Sequence, residues 1–167
     1  MDMHVVLFRH AERENAGITN PPLSARGWLQ AEKLLEKINR GELLRPTRLW
    51  ASPKGRAQQT LQKISAFLSI DVQVTADLDE RHNSEALAHF QARIRRLFHS
   101  VEKQGKENQK AVIYCCSHLD WIEEALPLIP CTTDFSRDEM VWAPAQYLVF
   151  EVHDKLWTII QSGRIEV

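Results

Sequence analysis

From residue 4 to residue 116 of the 167-residue chain, two kinds of segment take turns. Short runs rich in branched and other apolar residues read as buried strands: His4 to Phe8, Thr47 to Ala51, Val72 to Val74 and Ala111 to Cys116. Between them, apolar residues recur every three or four positions. The sets are Trp28, Ala31, Leu34, Leu35 and Ile38, then Ala57, Leu61, Ile64 and Leu68, then Leu87, Phe90, Ile94, Leu97, Phe98 and Val101. That period gives each segment one apolar helical face. Strands joined in turn by helices pair in parallel, because each crossover returns the chain to the starting edge. The expected fold is α/β, a three-layer sandwich with a mostly parallel central sheet and helices on both faces. Tyr147 to Val152 and Leu156 to Gln161 alternate around His153-Asp154-Lys155, and should add a C-terminal antiparallel hairpin.

Local signals punctuate these elements. Ser24 can cap the first helix, which Gly41 and Pro46 end. Ser52-Pro53 reads as the entrance of the second helix, a cap followed by proline at the first position, and Ser84 as the cap of the third. Asp77 to Asn83 reads as a charged loop and Gln104 to Lys110 as a polar connector. Leu119 to Leu126 reads as a short helix stopped by Pro127, and residues 127–146 as an ordered loop. The length suits one domain, 1–167.

A net charge of −1 supplies no global field for nucleic acid or an acidic membrane surface, so neither is an expected partner. No run approaches the roughly 18 apolar residues of a membrane span. Met1 to His4 has no basic, signal-like lead, and the cytoplasm is the expected location. Cys115, Cys116 and Cys131 fit no zinc spacing and read as reduced structural thiols. Cys115 and Cys116 are adjacent, so they should face opposite sides of their strand.

Arg9-His10 and Ser117-His118 follow directly on two buried runs, and Ser52 to Arg56 follows a third. Parallel sheets gather functional loops at the carboxyl ends of their strands, so these remote segments should converge. Arg9 and Arg56 carry planar forks suited to phosphate. Arg56 would stand in a first helical turn, where free N–H groups also favour an anion. His10 and His118 can act as nucleophile, proton carrier or phosphate ligand. Asp79 and Glu80 can supply a proton donor. Phosphoryl transfer needs this inventory of charge stabiliser, in-line nucleophile and leaving-group acid.

In its order along the chain the set resembles the histidine phosphatase superfamily, the phosphoglycerate mutase-like fold. Leu7-Phe8-Arg9-His10-Ala11-Glu12 is similar to the family's Arg-His-Gly or Arg-His-Ala segment after the first strand. Leu23-Ser24-Ala25-Arg26-Gly27 through Gln30-Ala31 resembles its Leu-Thr-x-x-Gly-x-x-Gln-Ala helix entrance. Ala51-Ser52-Pro53 with Arg56-Ala57-Gln58-Gln59-Thr60 resembles Ser-Pro-x-x-Arg-Ala-x-Gln-Thr. Leu78-Asp79-Glu80 resembles the Leu-x-Glu acid motif, and Ser117-His118 the second catalytic histidine.

The resemblance implies roles. His10 would attack phosphorus and form a phosphohistidine, its ring fixed through the other nitrogen by backbone. Arg9, Arg56 and His118 would hold the equatorial oxygens. Glu80 would protonate the leaving group and then activate water, with Asp79 as the fallback acid. The implied activity is a phosphatase acting on phosphomonoesters or phosphohistidine, on a phosphorylated small molecule or a phosphoprotein, with no cofactor and no metal because arginines supply the charge. Ala11 and Leu119 stand where glycine is common in the family, and Arg81-His82 departs from the mutase continuation. The interval between Glu80 and His118 is short, so only a minimal cap, about residues 81–110, is expected. This resembles the small phosphohistidine phosphatase branch. A phosphoryl mutase, which needs a closed pocket to keep its intermediate from water, and a phosphate-binding pseudoenzyme are the alternatives.

Arg13, Asn20 and Arg26 either line the pocket rim or are merely polar surface. Ser52 either contacts phosphate or only caps its helix. His82 either tunes the acid and meets substrate or is an exposed structural residue. Trp142 is expected to pack in the core, and Arg137 lies on the same late loop, where specificity could reside. His4, His89, His99 and His153 have no partner motif and read as structural or exposed.

Overall fold

The computed structural model describes residues 2–15, 17–131 and 142–167. Six strands form one sheet in the order β3-β2-β4-β1-β5-β6. They are β1 (Met3–Arg9), β2 (Arg48–Ala51), β3 (Val72–Val74), β4 (Val112–Ser117), β5 (Gln146–His153) and β6 (Leu156–Arg164). The β3-β2, β2-β4 and β4-β1 pairs are parallel, and β1-β5 and β5-β6 are antiparallel. The hairpin turn is tight, with both Asp154 (φ 45°) and Lys155 (φ 70°) left-handed. That is the two-residue turn whose twist matches the flanking strands.

Among the described residues four α-helices cover the sheet: α1 (Ala25–Asn39), α2 (Gly55–Leu68), α3 (Leu87–Glu107) and α4 (Leu119–Ala125). The central strands are apolar on both sides, so each face needs its own cover. Val6, Phe8, Tyr114 and Cys116 pack with Ala31, Leu34, Leu61 and Ile64 of α1 and α2. Val5, Leu7, Ile113 and Cys115 pack with Phe90, Ile94 and Leu97 of α3 and Trp121 and Ile122 of α4. The neighbouring cysteines do lie on opposite faces. Trp142 is buried in the second of these cores, and Arg137 lies outside the described residues.

Three boundaries differ from the sequence reading. α2 begins at Gly55 with Lys54 as its uncapped N-terminal neighbour, so Ser52 does not cap it. α3 begins at Leu87 after Ala86, so Ser84 does not cap it either, and its first turn has no side-chain cap. α3 also runs to Glu107, through much of the expected connector: no proline intervenes, and Gly105, a poor helix former, lets the helix pass against Met3, whose Sδ a Cβ there would approach to 2.4 Å. Ser24 does cap α1, its hydroxyl oxygen accepting from the Gly27 N–H at 3.1 Å. The segment 81–110 is mostly α3, whose apolar face lies in the core. Among the described residues no helix is long and apolar enough to cross a membrane.

Candidate active site

The sheet ladder sets the site before any side chain is considered. β1 and β4 are neighbours in register Arg9↔Ser117, so His10 and His118 each stand one residue beyond paired strand ends. The His10 N–H donates to the Ser117 carbonyl at 3.0 Å. On the other side of β4, Ala51 pairs with Cys116 and the Ser52 N–H donates to the Cys116 carbonyl at 3.1 Å. Three adjacent strands therefore deliver His10, His118 and Ser52 to one edge, as the parallel topology predicts.

His10 is buried, and its ring packs edge-on against His118 with centroids 5.3 Å apart. Its Nδ1 lies 2.8 Å from the Ala11 carbonyl oxygen. A carbonyl only accepts, so Nδ1 carries the proton and Nε2 is the bare nitrogen. Nε2 faces the Arg56 Nε–H at 3.4 Å. Burial, foremost, pushes the His10 imidazole down to about 4, and the charges of Arg56, Arg9 and Arg13 act in the same direction. The ring is thus neutral at neutral pH, the form that can attack.

The residues behind His10 are fixed from two helices. The Ala11 N–H donates to Thr60 Oγ1 at 3.0 Å, and that hydroxyl donates to the Arg56 carbonyl at 2.8 Å. The Glu12 N–H donates to Gln30 Oε1 at 2.8 Å, and the Leu23 N–H to Gln59 Oε1 at 2.9 Å. A Cβ at Gly27 would come within 2.0 Å of the Glu12 carbonyl oxygen, so glycine alone lets α1 approach the loop this closely. Thr60, Gln30, Gln59 and Gly27 all belong to motifs visible in the sequence. Together they hold the backbone that carries and follows His10.

Arg56 is buried in the first turn of α2, and its guanidinium reaches four polar members of the site. It lies 3.4 Å from His10 Nε2, 3.5 Å from His118 Nδ1 and 3.1 Å from Glu80 Oε2. Its Nη1 is 3.5 Å from Asn20 Oδ1, which also accepts from the Gly55 N–H at 3.3 Å. Asn20 adopts a left-handed backbone (φ 54°) to aim its amide there. Arg9 donates one Nη1–H to the Trp142 carbonyl. Its buried Nε–H has no acceptor among the described residues. An unpaired buried donor on a cation calls for an anion. Arg13, exposed on the first loop, is close enough to lower the proton affinity of Arg9, His10 and Arg56. Arg26 instead faces Glu12 at 3.5 Å.

Asp79 and Glu80 point to different places. The Asp79 side chain is buried; its Oδ1 accepts from the Glu80 N–H at 2.9 Å, and its Oδ2 lies 3.0 Å from His82 Nε2. The Glu80 side chain is 38 % exposed and sits between Arg56 and Lys54. His82 therefore meets Asp79 and not Glu80. Ser52, fully buried, lies 2.7 Å from His118 Nε2 and 3.4 Å from Asp79 Oδ1. Arg93 gave no signal as a site residue, yet it holds this loop. Its guanidinium donates to both Glu85 oxygens (2.7 and 2.8 Å) and to the carbonyls of Ala76, Asp79 and Glu80 (2.6, 3.1 and 3.1 Å). The one hint was a cation interrupting the apolar face between Phe90 and Ile94. Among the described residues no His/Cys/Asp/Glu group is arranged to hold a metal ion.

The arrangement can receive an anion between its guanidinium groups, with a neutral imidazole at the floor and a carboxyl at the mouth. Several solved structures share the fold. The protein histidine phosphatase SixA, complexed with tungstate, superposes with a TM-score of 0.77 at 16% identity, covering 97% of each chain. The alpha-ribazole phosphatase from Shigella flexneri gives 0.74 at 17%, covering 99% of each. A mycobacterial glucosyl-3-phosphoglycerate phosphatase with inorganic phosphate gives 0.74 at 17%, covering 98% of this chain and 99% of that one. No curated protein matches the sequence. A family model, Histidine phosphatase superfamily (branch 1), matches residues 5–86, the stretch that carries Arg9, His10, Arg56 and Glu80. Over residues 5–86 the sequence therefore matches the histidine phosphatase superfamily, and along nearly its whole length the chain shares the fold of these solved phosphatases.

Proposed function

We propose that this protein is a phosphatase that hydrolyses phosphomonoester or phosphohistidine bonds through a phosphohistidine on His10. The observation that carries the reading is the His10 ring: protonated Nδ1 tied to backbone, bare Nε2 aimed at the Arg56 guanidinium. That is the tautomer and direction an in-line attack requires. The similarity to phosphatases, one solved with tungstate and one with inorganic phosphate, supports the same reading.

In the first step Nε2 bonds to phosphorus, and the bond from phosphorus to the leaving oxygen or nitrogen breaks. The electron pair goes to the leaving atom, which takes a proton from Glu80. Arg9, Arg56 and His118 hold the non-bridging oxygens as charge shifts among them. The incoming phosphate takes over the Arg56 fork from Glu80 and leaves the carboxyl free to face the leaving group. In the second step water attacks phosphorus, Glu80 accepts its proton, and the P–N electron pair returns to His10. Glu80 rather than Asp79 suits this part, because Asp79 is buried and occupied by the Glu80 N–H and His82. Arg13 and Asn20 would border the substrate, and the substrate is a phosphorylated small molecule or a phosphoprotein. Glu80 and His82 stay accessible at the mouth, which favours hydrolysis over a mutase reaction, where water must be kept out.

The test is turnover of an aryl phosphate by wild type and His10→Ala, with trapping of radiolabelled phosphate. Loss of turnover together with an acid-labile label on His10 supports the proposal. Undiminished turnover in His10→Ala ends it. A panel of sugar phosphates, nucleotides, aryl phosphates and phosphohistidine then ranks substrates by kcat/KM.

A further inference from the structure

His118 is connected away from the substrate as well as toward it. Its Nδ1 faces the anion cradle through Arg56 Nη2 at 3.5 Å, and its Nε2 meets Ser52 Oγ at 2.7 Å. The Lys54 N–H donates to that hydroxyl oxygen at 3.2 Å. Ser52 Oγ in turn lies 3.4 Å from Asp79 Oδ1. The loop fixes the carboxylate through the Glu80 N–H on Oδ1 and His82 on Oδ2. A hydroxyl has one proton to give. With the Lys54 N–H on one lone pair, Ser52 can donate to Asp79 and accept from a protonated Nε2, and every group in the row is then matched.

The other nitrogen completes the case. In the free protein a bare Nδ1 can accept from Arg56. An ionised non-bridging phosphate oxygen arriving at the cradle can only accept, so a Nδ1 that faces one must then also carry a proton. The ring would become an imidazolium with the Asp79 carboxylate 3.9 Å behind it. We propose that Ser52 and Asp79 are positioning residues acting in series on His118, holding the proton on Nε2 so that the ring binds the substrate phosphate as a cation. This rests on the phosphatase reading and adds to it a proton taken up when phosphate binds.

The electrostatics fit a switch of this kind. In the free protein burial holds the His118 imidazole down to about 2, and a second charge on His10 and the standing charges of Arg56, Lys54 and Arg9 oppose a further cation. Those are the charged and titratable groups that face it from β1 and the start of α2; from the acid loop it meets Asp79. Asp120 on its own helix is turned away, accepting from the Arg81 and Trp121 N–H groups. A phosphate dianion among the same cations reverses the sign of the local field, and the ring can then charge.

The experiment is calorimetric titration with inorganic phosphate from pH 5 to 9 on wild type, Asp79→Asn, Ser52→Ala, Ser52→Thr and the double variant. An imidazolium in the complex makes affinity fall as pH rises through its pKa. Loss of a carboxylate within 4 Å should move that fall to lower pH by about one unit. At pH values between the two limbs, affinity should be roughly tenfold weaker. Ser52→Ala should show the same shift and Ser52→Thr should restore the wild-type limb. Because the two act in series, the double variant should be no worse than either single. Phosphate's own titration is common to all variants, so differences among them belong to the protein. Nitrogen-15 spectra of His118 in the phosphate complex should show both ring nitrogens protonated in wild type. A neutral ring in that complex, or superimposable pH limbs in Asp79→Asn and Ser52→Ala, overturns the proposal. Should Asp79→Asn fail to fold, Ser52→Ala reads the same limb. A dead His10→Ala beside unmoved limbs sinks the Asp79-Ser52-His118 series alone, whereas an active His10→Ala sinks the phosphatase reading.

Discussion

Arg93→Met keeps an aliphatic stem and removes the guanidinium head, whose Cζ lies 5.1 Å from the centroid of the Phe90 ring. The arginine gives five hydrogen bonds, two of them to Glu85. Its side chain is 8% accessible and that of Glu85 10%, so water cannot replace the lost partner fully. The variant leaves the Glu85 carboxylate with the His82 N–H, and three carbonyls of the acid loop lose a donor. Breaking one side of such a buried pair costs about 3–5 kcal/mol. At this chain length that lowers the melting temperature by about 10 °C or more. Urea denaturation should show the midpoint falling with little change in slope. Adding Glu85→Gln removes the stranded charge, and the double variant should be more stable than Arg93→Met by roughly 1–2 kcal/mol. In turnover of an aryl phosphate, kcat should fall more than KM rises, because the Arg93 clamp fixes Glu80 through its carbonyl and touches none of Arg9, Arg56 and His118. A loss under about 1 kcal/mol, or a double variant no better than the single, would refute the reasoning.

The same pair gives a pH dependence. The Arg93 hydrogen bond, foremost, holds Glu85 at about 2 against an ordinary 4.5. A depressed carboxyl stabilises the fold above its unfolded pKa, and that contribution drains away as pH falls from about 4.5 toward 2. Acid titration of Glu85→Gln should lack the part of the wild-type loss that falls in this window. Gly27→Ala should destabilise by roughly 1–3 kcal/mol in thermal melts, even though alanine is the better helix former, because its methyl meets the Glu12 carbonyl; a higher melting temperature would contradict the packing. Burial raises the Cys115 thiol and pushes Cys116 up to about 12, while Cys131 is half-buried. A thiol reagent at pH 8 should titrate one cysteine in the folded protein and all three in denaturant.

Periodicity made the layers legible, because a strand buried on both faces and a helix buried on one leave different spacings in the chain. It also indicated which segments meet at one edge, since Arg9-His10, Ser52 and Ser117-His118 each terminate an apolar run and parallel strands share an end. Capping was harder to read. A Ser-Pro pair favours a helix entrance locally, but the Ser52 hydroxyl finds its partners in His118 and Asp79, which no local pattern can announce. Asp79 and Glu80 differ by one position and have opposite surroundings, and only the fold reveals which is buried. Arg93 registers in the sequence as a flaw in an apolar face. Its partner Glu85 lies eight residues earlier, before the helix begins, at a spacing that carries no helical meaning.

The two histidines stand just past the ends of the two innermost strands, 108 positions apart along the polypeptide. Neither can find the other until the first and fourth strands have met, and that meeting also closes both apolar layers over the ladder. Turnover is therefore an all-or-none readout of core assembly. On the ribosome no catalytic competence can exist before residue 118 has emerged. In refolding, recovered activity should track the slowest-exchanging amides at the sheet centre rather than the appearance of helix.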